Sequence, residues 1–239
     1  MIKNGEELFL MKRSEIQAAV AWAKGLLEKT NFKLPEFAEW PLEEWRARRA
    51  ELDTIVRTMR GWDVTDFGSG DFGKTGAVLF TIRNGVLGTD IGCPYAEKLI
   101  FMREGQILPL HFHFSKTEDI INRGGGVLQI TVYNSRPDES VDWEGDVTFE
   151  ADGMKHTVPA GTAVEILPGN SMTIRPYMYH LFSVKPGTGD VMCGEVSAVN
   201  DDNVDNRFAE QSERFMTVEE DVEITVPLVN EYERVLGGK

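Results

Sequence analysis

A chain of 239 residues, 41% of them hydrophobic, can bury a sizeable core in one or two domains. Its formal charge of -14 argues against a nucleic-acid or anionic-membrane surface, both of which need clustered Lys and Arg, and favours small neutral ligands. Cys93 and Cys193 are too few and too far apart for a disulfide framework, no apolar run approaches the ~18 residues of a membrane span, and residues 1–10 carry Lys3, Glu6 and Glu7 where a secretory signal needs an apolar stretch, so a reduced, cytoplasmic protein is expected.

Residues 11–29 predict an amphipathic helix: Ser14 is a good N-cap, Glu15 lies in the first turn, and Ile16, Val20, Ala23 and Leu27 recur at helical spacing. The aromatics Phe32, Phe37, Trp40 and Trp45 follow, interleaved with acids and with Pro35 and Pro41; they either line a sugar-binding mouth or pin a loop to the core. Residues 42–59 predict a second helix whose Glu and Arg form a solvated face. The stretch 61–76, GWDVTDFGSGDFGKTG, carries five glycines and three aspartates without helical periodicity and matches neither phosphate-loop pattern, so it reads as a glycine-rich loop and not as a nucleotide site.

A strand is expected over 77–83, ending in an Asn84-Gly85 turn, and another over 98–103. Short runs with turn signals then recur at 128–133, 146–150, 163–167, 171–174, 181–184 and 191–196, the rhythm of a sandwich or barrel. The polar run Asn200, Asp201, Asp202, Asn203, Asp205, Asn206 and Arg207 either fixes a loop by Asx turns or covers a pocket mouth. One more strand is expected over 222–228 and a short helix over 229–236. The expected fold is mainly β: an N-terminal helical extension over 1–60 packed on a barrel over 61–239, one compact unit.

Residues 105–126 concentrate the chemistry. His111 and His113 are two apart, so in a strand both point the same way, and two imidazoles on one face make half of a metal site. Glu118, five residues on, joins them only if the chain bends at Ser115-Lys116-Thr117. His156 sits in a turn-like Asp-Gly-Met-Lys context, which leaves His180, at the end of a second strand-like run, as the remaining ligand. Three imidazoles and one carboxylate suit a divalent first-row ion (Mn, Fe, Co, Ni or Zn) with two open positions for a diol or hydroxy-carbonyl.

These residues resemble the cupin superfamily, whose first motif, G-x5-H-x-H-x3,4-E-x6-G, is matched by Gly105, His111, His113, Glu118 and Gly125. The second motif is met loosely, by Gly169, Pro176 and His180. The resemblance implies a double-stranded β-helix, or jelly-roll barrel. Segments MKRSEI at 11–16, GWDVTDFGSGDFGKTG at 61–76, HFHFSKTEDIINRGGG at 111–126 and CGEVSAVNDDNVDNRF at 193–208 are similar to those of cupin-type D-lyxose isomerases. That narrower resemblance implies a manganese-dependent homodimer interconverting D-lyxose with D-xylulose, and often D-mannose with D-fructose.

Such an isomerisation moves a proton from C2 to C1 through a cis-enediol(ate) and needs a Lewis acid on O1 and O2 together with a base near both carbons. Glu195, a polar residue among hydrophobic neighbours in the 191–196 strand, is either that base or the outward member of an alternating strand; Glu118 is the other candidate. Lys116 lies inside the ligand motif, where an ammonium can donate to O1 or O2; Lys98, Arg175 and Arg123 are further candidates for hydroxyl contacts. A hydride shift would use the same metal without a dedicated base. Two other readings use the same ligands: a dioxygenase with iron or copper, and a phosphosugar isomerase in which Arg103, Lys116, Arg123 and Arg175 would cluster.

Overall fold

A computed structural model describes residues 2–3, 6–7, 10–201, 204–212 and 214–237, the first five strand positions (2–3, 6–7 and 10) by backbone alone. Strands β1 (Ile2–Lys3), β2 (Glu6–Glu7) and β3 (Leu10–Lys12) precede helix α1 (Arg13–Thr30), and two short helices follow, α2 (Leu42–Ala47) and α3 (Asp53–Arg57). Next come β4 (Gly61–Thr65), β5 (Ala77–Gly85), β6 (Gly92–Met102), β7 (Ile107–His113), β8 (Glu118–Gly125) and β9 (Leu128–Ser135). The rest is β10 (Val141–Asp142), β11 (Val147–Ala151), β12 (Met154–Val158), β13 (Ala163–Ile166), β14 (Ser171–Ile174), β15 (Met178–Val184), β16 (Val191–Ala198), β17 (Asn206–Phe208), β18 (Thr217–Glu219) and helix α4 (Tyr232–Leu236). No described helix is long and apolar enough to cross a membrane.

The expected mainly β barrel is what the chain forms. One sheet runs β10-β9-β15-β7-β17 with β13 on β9; the other runs β12-β11-β14-β8-β16-β6-β5-β4. The core lies between them: Leu79, Ile100, Met102 and Cys193 from one sheet meet Leu128, Ile130, Phe182 and Val184 from the other. The alternate residues of β4–β6 and β16 point outward, yet Trp62, Val78, Phe80, Leu99, Phe101 and Met192 are buried too, because α1 covers that face with Ile16, Val20, Ala23 and Leu27. A sheet covered on both faces reads as a continuous apolar run, which is why AVLFTI at 77–82 shows no alternation.

Several expectations are corrected. The glycine-rich loop is a strand in its first part: β4 pairs along its length with β5, and only from residue 66 does the chain turn irregular. Ser14 is not the N-cap; the helix starts at Arg13 because Lys12 stays extended in β3 beside β18, its N–H donating to Glu15 Oε2 at 2.9 Å, while the Ser14 N–H and hydroxyl donate to Asp221. Residues 42–59 break into α2, a 3-10 turn and α3, since Trp45 and Leu52 are the apolar residues of the run that are fully buried and a continuous helix would have little else to hold it. Asn84-Gly85 is not the turn: β5 runs through Gly85, where a side chain would strike the Cys93 carbonyl, and the connection is at 86–91. No strand forms over 222–228; Thr225 bonds Gln17 on α1, and Leu228 makes a lone bridge to Trp62. The aromatics of 32–45 pin the loop to the core: Phe37 stacks on Phe80 at 5.5 Å and Trp45 on Tyr232 at 5.1 Å.

The C-terminal segment is tied to the start of α1 through Arg13, whose side chain is wholly buried. Its guanidinium donates to Glu220 at 2.8 and 2.9 Å and to Glu231 at 3.0 Å. Arg234 donates to the same two carboxylates, at 2.8 Å to Glu220 and 2.7 Å to Glu231, so losing Arg13 leaves them partly compensated and costs less than the ~3–5 kcal/mol of an unpaired buried charge. Arg13→Ala should therefore lower Tm by roughly 5 °C in calorimetry; a change within about 1 °C would show that this tie does not hold the tail.

Candidate metal centre

β7 and β15 are antiparallel neighbours, and His111 and His180 are direct partners in their register. A bulge between His180 and Phe182 shifts that register so that Leu108 and His111 both face the barrel interior, and His113, two positions on, keeps the same face. All three imidazoles are buried, with ring centroids 4.1 Å (His111–His180), 5.0 Å (His111–His113) and 5.4 Å (His113–His180) apart. One ligand nitrogen from each lies within 4.8 Å of the other two.

Their tautomers follow from their partners. His111 Nδ1 is 2.8 Å from the Pro109 carbonyl, His180 Nδ1 3.0 Å from that of Met178, and His113 Nδ1 3.1 Å from that of Asp205. A carbonyl can only accept, so each Nδ1 carries the proton and the lone pair a neutral ring can offer a metal is that of Nε2. His180 Nε2 is buried and has no hydrogen-bond partner among the described residues. An orphaned buried acceptor is costly unless something coordinates it, and the set fits a divalent ion. Burial pushes the His111 imidazole well below its usual value and that of His180 down to about 4, which keeps both in the ligating, neutral form.

Glu118 opens β8 after the turn at 114–117, and its carboxylate oxygens lie 3.4 Å from the Nε2 atoms of His113 and His180. Burial alone would raise its carboxyl; Lys116 and the neighbouring histidines outweigh that and hold it well below the usual carboxylate range. Lys116 folds in from the turn and is buried. Its ammonium lies 2.7 Å from Glu118, 2.9 Å from Glu195 and 3.1 Å from Asn200 Oδ1.

Glu195 is not the outward member of its strand: with Val191 and Cys193 it faces the interior of β16 and is buried. Its hydrogen bonds from Lys116 and from Ser197 (3.2 Å) both fall on Oε1. Lys98, its cross-strand partner on β6, is buried and lines the same cavity. Arg175 is not brought to the centre. It follows Ile174, which points into the core, so it points out, is exposed and donates to Glu150. Nor do Arg103 and Arg123 gather there: Arg103 lies over the rings of Trp22 and Phe72, and Arg123 lies exposed against Gly194 on the outer face. His156 is on β12, exposed and stacked on Phe149.

Of the two readings of the polar run 200–207, covering the pocket mouth is the one Asn206 fits, while Phe208 and Arg214 were not singled out as site residues. β17 pairs with β7, setting Asn206 opposite His113 and Phe208 opposite His111, whose ring it stacks on at 5.4 Å. Arg214 lines the same cavity and pairs with Asp63 of β4 at 2.6 Å. Asn206 and Phe208 fall in the 193–208 segment singled out by resemblance; Arg214 had no signal. Asp202 and Asn203 of the polar run lie outside the described residues.

A family model described as D-lyxose isomerase matches residues 11–232. The chain is 38% identical over 231 residues to a D-lyxose/D-mannose isomerase of Escherichia coli O157:H7, covering 93% of this chain and 98% of that protein. It is 39% identical over 232 residues to one of Serratia proteamaculans, covering 95% and 100%. Among solved structures, the L-ribose isomerase of Cellulomonas parahominis with L-ribose superposes with a TM-score of 0.57 at 14% identity, over 89% of this chain and 99% of that one, a likeness of fold.

Proposed function

The chain belongs to the D-lyxose isomerase family and is a sugar isomerase; from that premise we propose that it interconverts free D-lyxose and D-xylulose, and D-mannose and D-fructose, using a divalent ion, Mn²⁺ first, held by His111, His113, His180 and Glu118. The observation that carries the metal is the convergence of three Nε2 lone pairs whose Nδ1 protons are already committed to carbonyls. When bound, the ion supplies Lewis acidity toward O1 and O2 of the open-chain sugar, which can stabilise developing negative charge by several kcal/mol.

The protein's own groups do the rest. Glu195 takes the C2 proton on Oε2, the oxygen without a hydrogen bond among the described residues, and returns it to C1. Lys116 orients that carboxylate through Oε1 and offsets enediolate charge. Phe67, Leu108 and Phe208 wall the cavity and keep bulk water off the proton in transit. The separation of Arg103, Arg123 and Arg175 favours a free sugar over a phosphorylated one. The same reading includes a homodimer.

EDTA-stripped protein should be inactive and regain turnover with added Mn²⁺, more than with Co²⁺, Fe²⁺, Ni²⁺ or Zn²⁺, on D-lyxose and D-mannose in preference to their phosphates. Full activity of the stripped protein would overturn the metal reading, and a preference for the phosphates would overturn the substrate.

A further inference from the structure

Among the described residues, the tail segment that crosses the centre supplies the acceptors for His113 Nδ1 and for the turn backbone at Ser115 and Lys116. Asp205 Oδ1 accepts from the Ser115 N–H at 2.9 Å and from the Ser115 hydroxyl at 2.8 Å, and Oδ2 accepts from the Lys116 N–H at 3.1 Å. Its carbonyl accepts from His113 Nδ1. Four donors from one short stretch of β7 and its turn therefore converge on a residue some ninety positions away in sequence. His111 and His180 instead bond carbonyls two residues back on their own strands, so among the three only His113 takes its tautomer and ring direction from a distant segment.

The placement is enforced from both sides. The β17 register puts Asn206 opposite His113, which leaves Asp205 facing the turn. At the other end the Asn84 side chain clamps the Asn200 backbone with two bonds of 3.0 Å, and Asn200 Oδ1 accepts from the Lys116 ammonium. Lys116 is thus held at its backbone by Asp205 and at its ammonium by Asn200.

We propose that Asp205 is a positioning residue for the isomerisation: it orients His113 toward the metal and holds the turn that sets the Lys116 ammonium between Glu118 and Glu195, so that it governs metal affinity and kcat without touching the sugar. This rests on the metal-dependent isomerase reading above. Second-sphere partners of this kind are worth roughly 10–100-fold in metal affinity or activity.

The fold contains its own control. Asp152 accepts from the Ser171 N–H (2.8 Å) and hydroxyl (2.9 Å) and from Asn170 Nδ2 (2.7 Å), the same kind of clamp on an exposed hairpin outside the cavity. Calorimetric Mn²⁺ titration, kcat and KM are measured for the wild type, Asp205→Ala, Asp205→Asn and Asp152→Ala. Asp205→Ala should bind Mn²⁺ ~10–100-fold more weakly and lose kcat per bound ion to a similar degree, with KM changed less than ~3-fold. Asp205→Asn, which keeps one acceptor oxygen, should recover part of both and stands in if the alanine variant does not fold. Asp152→Ala should lower Tm and leave Mn²⁺ affinity and kcat as in the wild type. Wild-type affinity and kcat in both Asp205 variants, or an equal loss in Asp152→Ala, would overturn the assignment. A wild type that binds no Mn²⁺ would remove the underlying metal reading and this inference with it, an outcome visible before any variant is compared.

Discussion

His111→Ala is expected to abolish metal retention and turnover together. Its Nε2 is one of three converging lone pairs, and its cross-strand partner His180 sits directly opposite in the β7–β15 register. If His111 ligates the ion as proposed, its loss should cost more than the ~10–100-fold typical of second-sphere changes. The fold should survive, because the barrel core of Leu128, Ile130, Phe182 and their neighbours is intact and a truncated imidazole leaves only a small void beside Phe208. Metal content by plasma emission, read alongside turnover, checks this, and His156→Ala is the matched control: an exposed histidine on β12 that should change neither. An active His111→Ala protein free of metal would dismantle the centre as described.

Glu195→Gln should leave metal content unchanged and reduce kcat by at least ~10²-fold. Glutamine keeps the shape and an oxygen to accept from Lys116, but it cannot take the C2 proton. Running the wild-type reaction in D₂O sharpens the test: transfer through a carboxylate lets solvent deuterium appear at C1 of the product, whereas a hydride shift keeps the C2 hydrogen. Wild-type turnover in Glu195→Gln would move the role to Glu118 or to a hydride shift, and the isotope pattern would say which.

Much of the centre is legible in local sequence because the two periodicities that matter are local. A spacing of two puts His111 and His113 on one face of any strand, and Ile16, Val20, Ala23 and Leu27 at helical spacing define the buried stripe of α1. The same reasoning fails for β4, where Trp62, Asp63 and Val64 are all buried: a strand covered on both faces has no alternation to read, and the glycines nearby suggest a loop. It fails for Arg175 because whether a residue after Ile174 points in or out depends on the phase of a strand whose ends the sequence does not mark.

The sequence by itself determined the mainly β class, the helix laid against it and the direction shared by His111 and His113, and it marked the bend at Ser115-Lys116-Thr117 as the condition for Glu118 to join them. Only the tertiary structure decided that His180 stands opposite His111, that Glu195 faces inward onto Lys116, and that Asp205, Phe208 and Arg214 from the tail close over the site. The reason is physical: periodicity reports which face of one element is buried, whereas register between strands and the pairing of charges such as half-buried Arg214 with buried Asp63 are long-range choices, made when backbone donors on an open strand edge and desolvated ions find partners far along the chain.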